Sequence, residues 1–169
     1  MTSTARILGS VGSADGKGVI RVEERFAASI DDVWSALTEP ARLAQWYGEV
    51  EGELRAGGEF SARVHASGWE GTGRIELCDA PHRFREVSKE PESPDENTTE
   101  VTLRAEGDET VIVVDQWGMR VELAWAYAAG MQIHVEDLGA HLAGRGRADA
   151  SRWEELEPAY RELGADLTP

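Results

Sequence analysis

One long helical stripe follows an unbroken run of strands and turns, and this order leaves few folds open. Tyr127, Met131, Val135, Leu138 and Leu142 recur at i, i+4, i+8, i+11 and i+15, the apolar face of a single amphipathic helix. The pattern predicts a helix over residues 120–143, weakened at Gly130, where a bend is expected, and stopped by Gly144 and Gly146. Upstream, over residues 50–117, turn chemistry recurs about every ten residues: Gly57-Gly58, Gly68, Asp79-Ala80-Pro81, the acidic stretch 91–97 and Glu106-Gly107-Asp108. The segments between these turns alternate or carry strand-forming residues, as in Phe60, Ala62 and Val64. They read as about six strands of an antiparallel meander.

Before the meander, residues 19–26 alternate, with Ile20, Val22 and Phe26 on one face and Arg21, Glu23 and Arg25 on the other. Glu24 is the odd residue on the apolar face. Two short helices follow. Ser29 with Asp32 three residues on is a capping pattern ahead of Val33, Trp34 and Leu37. Pro40 suits the first turn of the second helix, which carries Leu43, Trp46 and Tyr47 and ends at Gly48. Residues 1–18 are rich in Ser, Gly and Ala and read as a flexible or irregular lead-in; they lack the apolar core of a signal peptide. Residues 145–169 read as a helical extension beginning at Ser151, with Glu154 completing a cap and Pro158 breaking or offsetting the helix. The extension is expected to lie outside the folded domain, which should fold without it.

Few helices and contiguous strands exclude a parallel βαβ sheet and indicate an α+β fold. An antiparallel sheet needs its apolar face covered, and the only element long enough is the 120–143 helix, about 35 Å at 1.5 Å per residue. The expectation is a curved antiparallel sheet wrapped around that helix. Gly71 and Gly73 share the inner face of one strand with Ile75 and Leu77. Missing side chains there let the sheet bend or leave room for something else. A bent sheet under one helix tends to enclose an apolar space with a few polar groups.

Composition narrows the partners. Lys and Arg number 17 against 32 Asp and Glu, a net charge of −15. That excludes nucleic acid and anionic membrane surfaces as partners, since both need a basic patch. No stretch reaches the roughly 18 consecutive apolar residues of a spanning helix. The lone Cys78 forms no internal disulfide, which points to a cytoplasmic setting and a bystander thiol. Phosphate-binding glycine loops and the GxSxG, HExxH and CxxC motifs do not occur. No cofactor and no metal are expected, and pairing into a homodimer is left open.

The candidate ligand contacts are the aromatic residues Trp34, Trp46, Phe60, Trp69, Phe84 and Trp117, with Trp125 in the same set, and the helix-stripe residues Tyr127, Met131, Val135 and Leu138. Flat rings line pockets and equally fill cores. Trp46 and Phe60 flank the expected entrance. His134, Asp137 and His141 are spaced to lie along one side of the long helix. They have three readings: a His–Asp acid–base pair for a cyclisation, a zinc site, or a solvated polar flank. Glu24 is either an ion-paired carboxylate, with Arg74 or Arg104 as partner, or a polar anchor inside the cavity.

The segment "FAASIDDVWSALTEPARLAQWYG" resembles the opening of the SRPBCC (START-like) superfamily. More narrowly, it is similar to bacterial proteins related to the C-terminal domain of the activator of heat-shock-protein-90 ATPase. The resemblance rests on Val33-Trp34, Thr38-Glu39-Pro40, Trp46, the turn Gly57-Gly58-Glu59-Phe60 and the helix "GMQIHVEDLGAHLAG". Met131 stands where the family commonly has Trp. The resemblance implies a helix-grip domain over residues 19–144 that binds a small hydrophobic or amphipathic molecule. Some relatives are cyclases or aromatases, and true activators are chaperone-associated interaction modules. This chain reads without their separate N-terminal domain, which argues against a chaperone partner. The first reading is a binding module, and the alternatives are a cyclase- or hydratase-type enzyme acting on such a ligand and a chaperone-associated interaction module.

Overall fold

The computed structural model describes residues 6–167. Among these, eight strands form one antiparallel sheet: β1 Gly9–Ala14, β2 Lys17–Phe26, β3 Gly48–Gly52, β4 Glu59–Val64, β5 Glu70–Asp79, β6 Arg83–Lys89, β7 Asn97–Glu106 and β8 Glu109–Arg120. Helices α1 Ile30–Thr38 and α2 Pro40–Trp46 join β2 to β3, and α3 Ala124–Leu142 and α4 Ser151–Leu163 follow β8. The strand order is β1-β2-β8-β7-β6-β5-β4-β3. The chain therefore crosses from β2 to the far edge through α1 and α2, then meanders back until β8 lies beside β2. This is the helix-grip α+β arrangement, with α3 laid across the concave face.

Local chemistry places each piece. Ser29 Oγ accepts from the Asp32 amide at 3.2 Å and starts α1. Pro40 occupies the first turn of α2. Register shifts between Ile75 and Leu77 on β5, and between Lys17 and Val19 on β2, break the ladders and add curvature. At Gly73 a Cβ would come within 2.5 Å of the Phe60 ring, and at Gly71 within 2.3 Å of the Trp69 ring. The two glycines therefore make room on the concave face for neighbouring rings.

α3 approaches the sheet unevenly. Near its C-terminus, a Cβ at Gly139 would lie 3.0 Å from the ring of Phe26 on β2. There Val135 and Leu138 join Val22, Phe26, Leu103, Ile112 and Val114 in the main core. The other side of α3 meets α4 in a second core, where Ala128, Ala129 and Ile133 pack with Leu156 and Tyr160. Over β4 to β7 the helix and sheet diverge.

Several expectations change. Within the presumed lead-in, Gly9–Ala14 is the edge strand β1, paired with β2 along its whole length through a tight turn at Asp15-Gly16, both with positive φ. Residues 1–5, like 168–169, lie outside the described ones. β8 continues to Arg120, so α3 begins at Ala124 after a 3-10 turn at Val121–Leu123; the helix is unbroken at Gly130. Ser151 does not cap α4: the N-cap is Ala150, without a side-chain bond, and Asp149 just before it accepts from the Ser151 amide at 2.9 Å. Pro158 sits inside α4 without ending it. The extension is part of the fold, because Leu156 and Tyr160 are fully buried against α3. Burying a large apolar side chain stabilises by roughly 1.5–3 kcal/mol.

Candidate functional site: a cavity between helix and sheet

The divergence of α3 from the sheet leaves a cavity of about 520 Å³. Its walls come from the α1–α2 segment, β3, β4, β6, β7, β8 and α3, with Trp153 of α4 at one side. Most of the wall is apolar. Trp46 is 4% exposed and fixed by its Nε1 donating to the Ala36 carbonyl at 2.9 Å. Phe60, Trp69 and Phe84 face it across the space, and Tyr127, Met131, Val135 and Leu138 supply the helix side. These eight predicted contacts are brought together.

Three predicted aromatic residues are not. Trp117 on β8 follows Gln116, which faces inward, so alternation turns Trp117 to the outer face, where it is 37% exposed. Trp34 lies one residue, about 100°, around α1 from the buried Val33 and packs at the edge of the main core without reaching the cavity. Trp125 points away from the cavity, and the Arg161 guanidinium stacks 4.0 Å over its ring.

The His134, Asp137 and His141 series also separates. His134 lines the cavity, with its ring edge-on to Tyr47 at 5.1 Å. Burial holds its pKa down at about 4, so the imidazole is neutral at ordinary pH. Asp137 lies a further three residues, about 60°, around the helix and serves the α3–α4 connection, accepting from the Ala148 amide at 2.8 Å. Burial raises its pKa, opposed by that amide. His141 Nε2 accepts from Arg42 Nε at 3.2 Å, at the joint between α2 and α3. No His–Asp acid–base pair forms, and among the described residues no group of three His, Cys, Asp or Glu is placed to hold a metal. Glu24 does turn toward the helix side, but at a second cleft beside Asp137. Its partners are the Arg25 amide at 2.8 Å and Arg6 at 3.3 Å. Arg74 and Arg104 instead pair with Glu96 and Glu106 on the exposed face.

The sequence reading missed a polar row inside the cavity. Glu86 of β6 stands opposite Thr99 of β7, and Thr99 opposite Gln116 of β8; Ser88 and Asn97 form the next pair along. Ser88, Asn97, Thr99 and Gln116 are all buried. Gln116 Nε2 donates to Thr99 Oγ1 at 3.1 Å, and Asn97 Nδ2 donates to the Tyr127 hydroxyl at 3.3 Å. Glu86 Oε2, Gln116 Oε1, Asn97 Oδ1 and His134 Nδ1 are shielded from solvent and have no hydrogen-bond partner among the described residues. Burial pushes the Glu86 carboxyl up to about 7, against the pull of the Thr99 and Ser88 hydroxyls. The Tyr47 phenol is raised by burial and then by Glu86. The signal was present as the alternation Phe84, Glu86, Ser88, but the opposite set, Arg83, Arg85, Val87 and Lys89, mixes charge with an apolar residue and masked it.

Comparison with known proteins agrees with this architecture. No curated protein matches the sequence. The crystal structure of CalU16 from Micromonospora echinospora superposes with a TM-score of 0.76 at 23% identity, covering 94% of this chain and 96% of that one. DynU16, described as a protein in the dynemicin biosynthetic locus, gives 0.66 at 25% identity over 76% of this chain and 49% of its own. An HSP90 activator from Plasmodium falciparum gives 0.62 at 17% identity over 77% of this chain and 99% of its own. The family model for Activator of Hsp90 ATPase homolog 1-like protein matches residues 27–143, from the end of β2 to the end of α3. The chain belongs to that family, a branch of the SRPBCC superfamily.

Proposed function

We propose that this protein holds a small hydrophobic or amphipathic molecule between α3 and the concave sheet. The observation that carries this reading is the cavity itself. Its volume of about 520 Å³ falls within the roughly 300–1,000 Å³ of small-molecule sites, and apolar walls with a few placed polar groups are the usual makeup of such sites. The description of DynU16 as belonging to a biosynthetic locus supports a small-molecule role. Binding is the first reading because the acid–base candidates read from the sequence do not meet: His134 stands in the cavity, while Asp137 and Glu24 serve the second cleft.

Titration with Nile red, a neutral dye that brightens in apolar surroundings, tests the reading. Saturable one-to-one binding is expected. Met131→Trp adds volume inside the cavity and should weaken dye uptake about tenfold while thermal unfolding stays cooperative. A wild-type protein that gives no saturable signal, with no small molecule retained in native mass spectrometry, would end the proposal.

A further inference from the structure

The polar row in the cavity has a direction. Glu86, Thr99 and Gln116 lie on three adjacent strands, so the row spans about 10 Å at the 4.7–4.9 Å spacing of neighbouring strands. An ionised Glu86 only accepts hydrogen bonds. Thr99, the cross-strand neighbour of Glu86, accepts from Gln116, which keeps its own hydroxyl hydrogen free to point at the Glu86 carboxyl. Gln116 donates its NH2 to Thr99, which leaves its carbonyl oxygen without a partner among the described residues. Asn97 is oriented alike, its NH2 spent on Tyr127. Glu86 Oε2, Gln116 Oε1 and Asn97 Oδ1 thus form an array of acceptors, each shielded and unpartnered among the described residues. A buried polar atom without a partner is costly, so the array favours whatever supplies donors. Among the described lining residues the charged side chains are Glu86 and Glu90, with no Lys or Arg. The other titratable side chains of the lining are Tyr47, Tyr127 and His134; of these only the imidazole could become a cation, and burial lowers its pKa to about 4.

We propose that the ligand carries hydrogen-bond donors, as ammonium or hydroxyl groups, along one edge of an apolar body, that Glu86, Gln116 and Asn97 receive them, and that the cavity discriminates against carboxylate and phosphate ligands. This rests on the small-molecule reading above and adds the ligand's polarity to it.

A matched probe set separates the two. Naphthalene, 2-naphthol, 2-naphthylmethylamine and 2-naphthoate share one apolar body and compete with Nile red at pH 8. The naphthol or the amine should bind about tenfold tighter than naphthalene, and the naphthoate about tenfold weaker than the better of the two, the usual size of one hydrogen bond to a buried charged or polar group. Glu86→Gln should lower the amine-to-naphthalene affinity ratio if ammonium is the donor. Gln116→Leu should lower the naphthol-to-naphthalene ratio if hydroxyl is. The variants sit on different strands, so misfolding of one leaves the other informative. If naphthalene displaces the dye but all four probes lie within twofold, or the naphthoate is tightest, the polarity assignment is wrong while the cavity reading stands. If no probe displaces the dye, both fall.

Discussion

Tyr160 of α4 donates its hydroxyl hydrogen to Oε1 of Gln132, a fully buried amide in the middle of α3. The same amide accepts from the Leu8 backbone at 3.0 Å and donates to the Arg6 carbonyl at 2.7 Å and to Glu136 at 3.1 Å. One side chain thus ties together the N-terminal segment, the grip helix and the C-terminal helix. Gly9 leaves the space for this: a Cβ there would lie 2.8 Å from the Tyr160 oxygen.

Deleting residues 145–169 should therefore cost several kcal/mol, since it uncovers the second core and strands Gln132. Tyr160→Phe, which removes only the hydroxyl, should cost about 1–2 kcal/mol. Urea denaturation checks both. A truncated chain as stable as the intact one would show that α4 rests on the domain without supporting it.

Gly73→Ala should destabilise by about 1–3 kcal/mol. The new methyl would meet both the Phe60 ring at 2.5 Å and the Val87 carbonyl at 2.6 Å. Only the ring can swing away, so the sheet itself must also shift. Thermal unfolding measures the loss, and Phe60→Ala in the same background should recover only part of it.

Glu86 and His134 give opposite pH dependences. The folded-state pKa of Glu86 is raised to about 7, so its contribution to stability is fully present below the ordinary carboxylate value of about 4.3 and is lost as pH climbs to 7. The folded-state pKa of His134 is lowered to about 4. Its contribution is present above the ordinary histidine value of about 6.5 and is lost as pH falls to 4. In the wild type the two largely offset each other. Glu86→Gln should gain about 2–3 kcal/mol relative to wild type between pH 4 and pH 8, and His134→Phe should lose its relative advantage over the same rise. Denaturant midpoints for wild type and variants across that range test this; parallel curves would contradict it.

Cys78 should react slowly with iodoacetamide in the native protein. Burial and then the neighbouring Asp79 raise its thiol pKa, reducing the thiolate fraction that reacts. Cys78 is only half-buried, so labelling should still reach completion, and denaturation should speed it. Labelling at the rate of a free thiol would show that β5 opens at its end.

The order of elements was legible in the chain because it depends on short-range facts. Alternation marks a strand, a stripe at helical spacing marks a helix, and Ser29 or Pro40 marks a start. Those facts, with the unequal lengths of the elements, are enough to require one helix on one sheet, and they place Phe60, Met131 and Leu138 on inner faces. Tertiary structure decided the rest. Whether Trp117 or Gln116 faces inward depends on the register of β8 between β2 and β7. Whether His134 meets Asp137 depends on α4 and its connection claiming one flank of α3 while the cavity takes the other. The edge strand β1 and the helix α4 carry weak patterns of their own and gain their order from Gln132 and the second core. The acceptor row exists only because strand pairing brings Glu86, Thr99 and Gln116 side by side from three separate stretches of sequence.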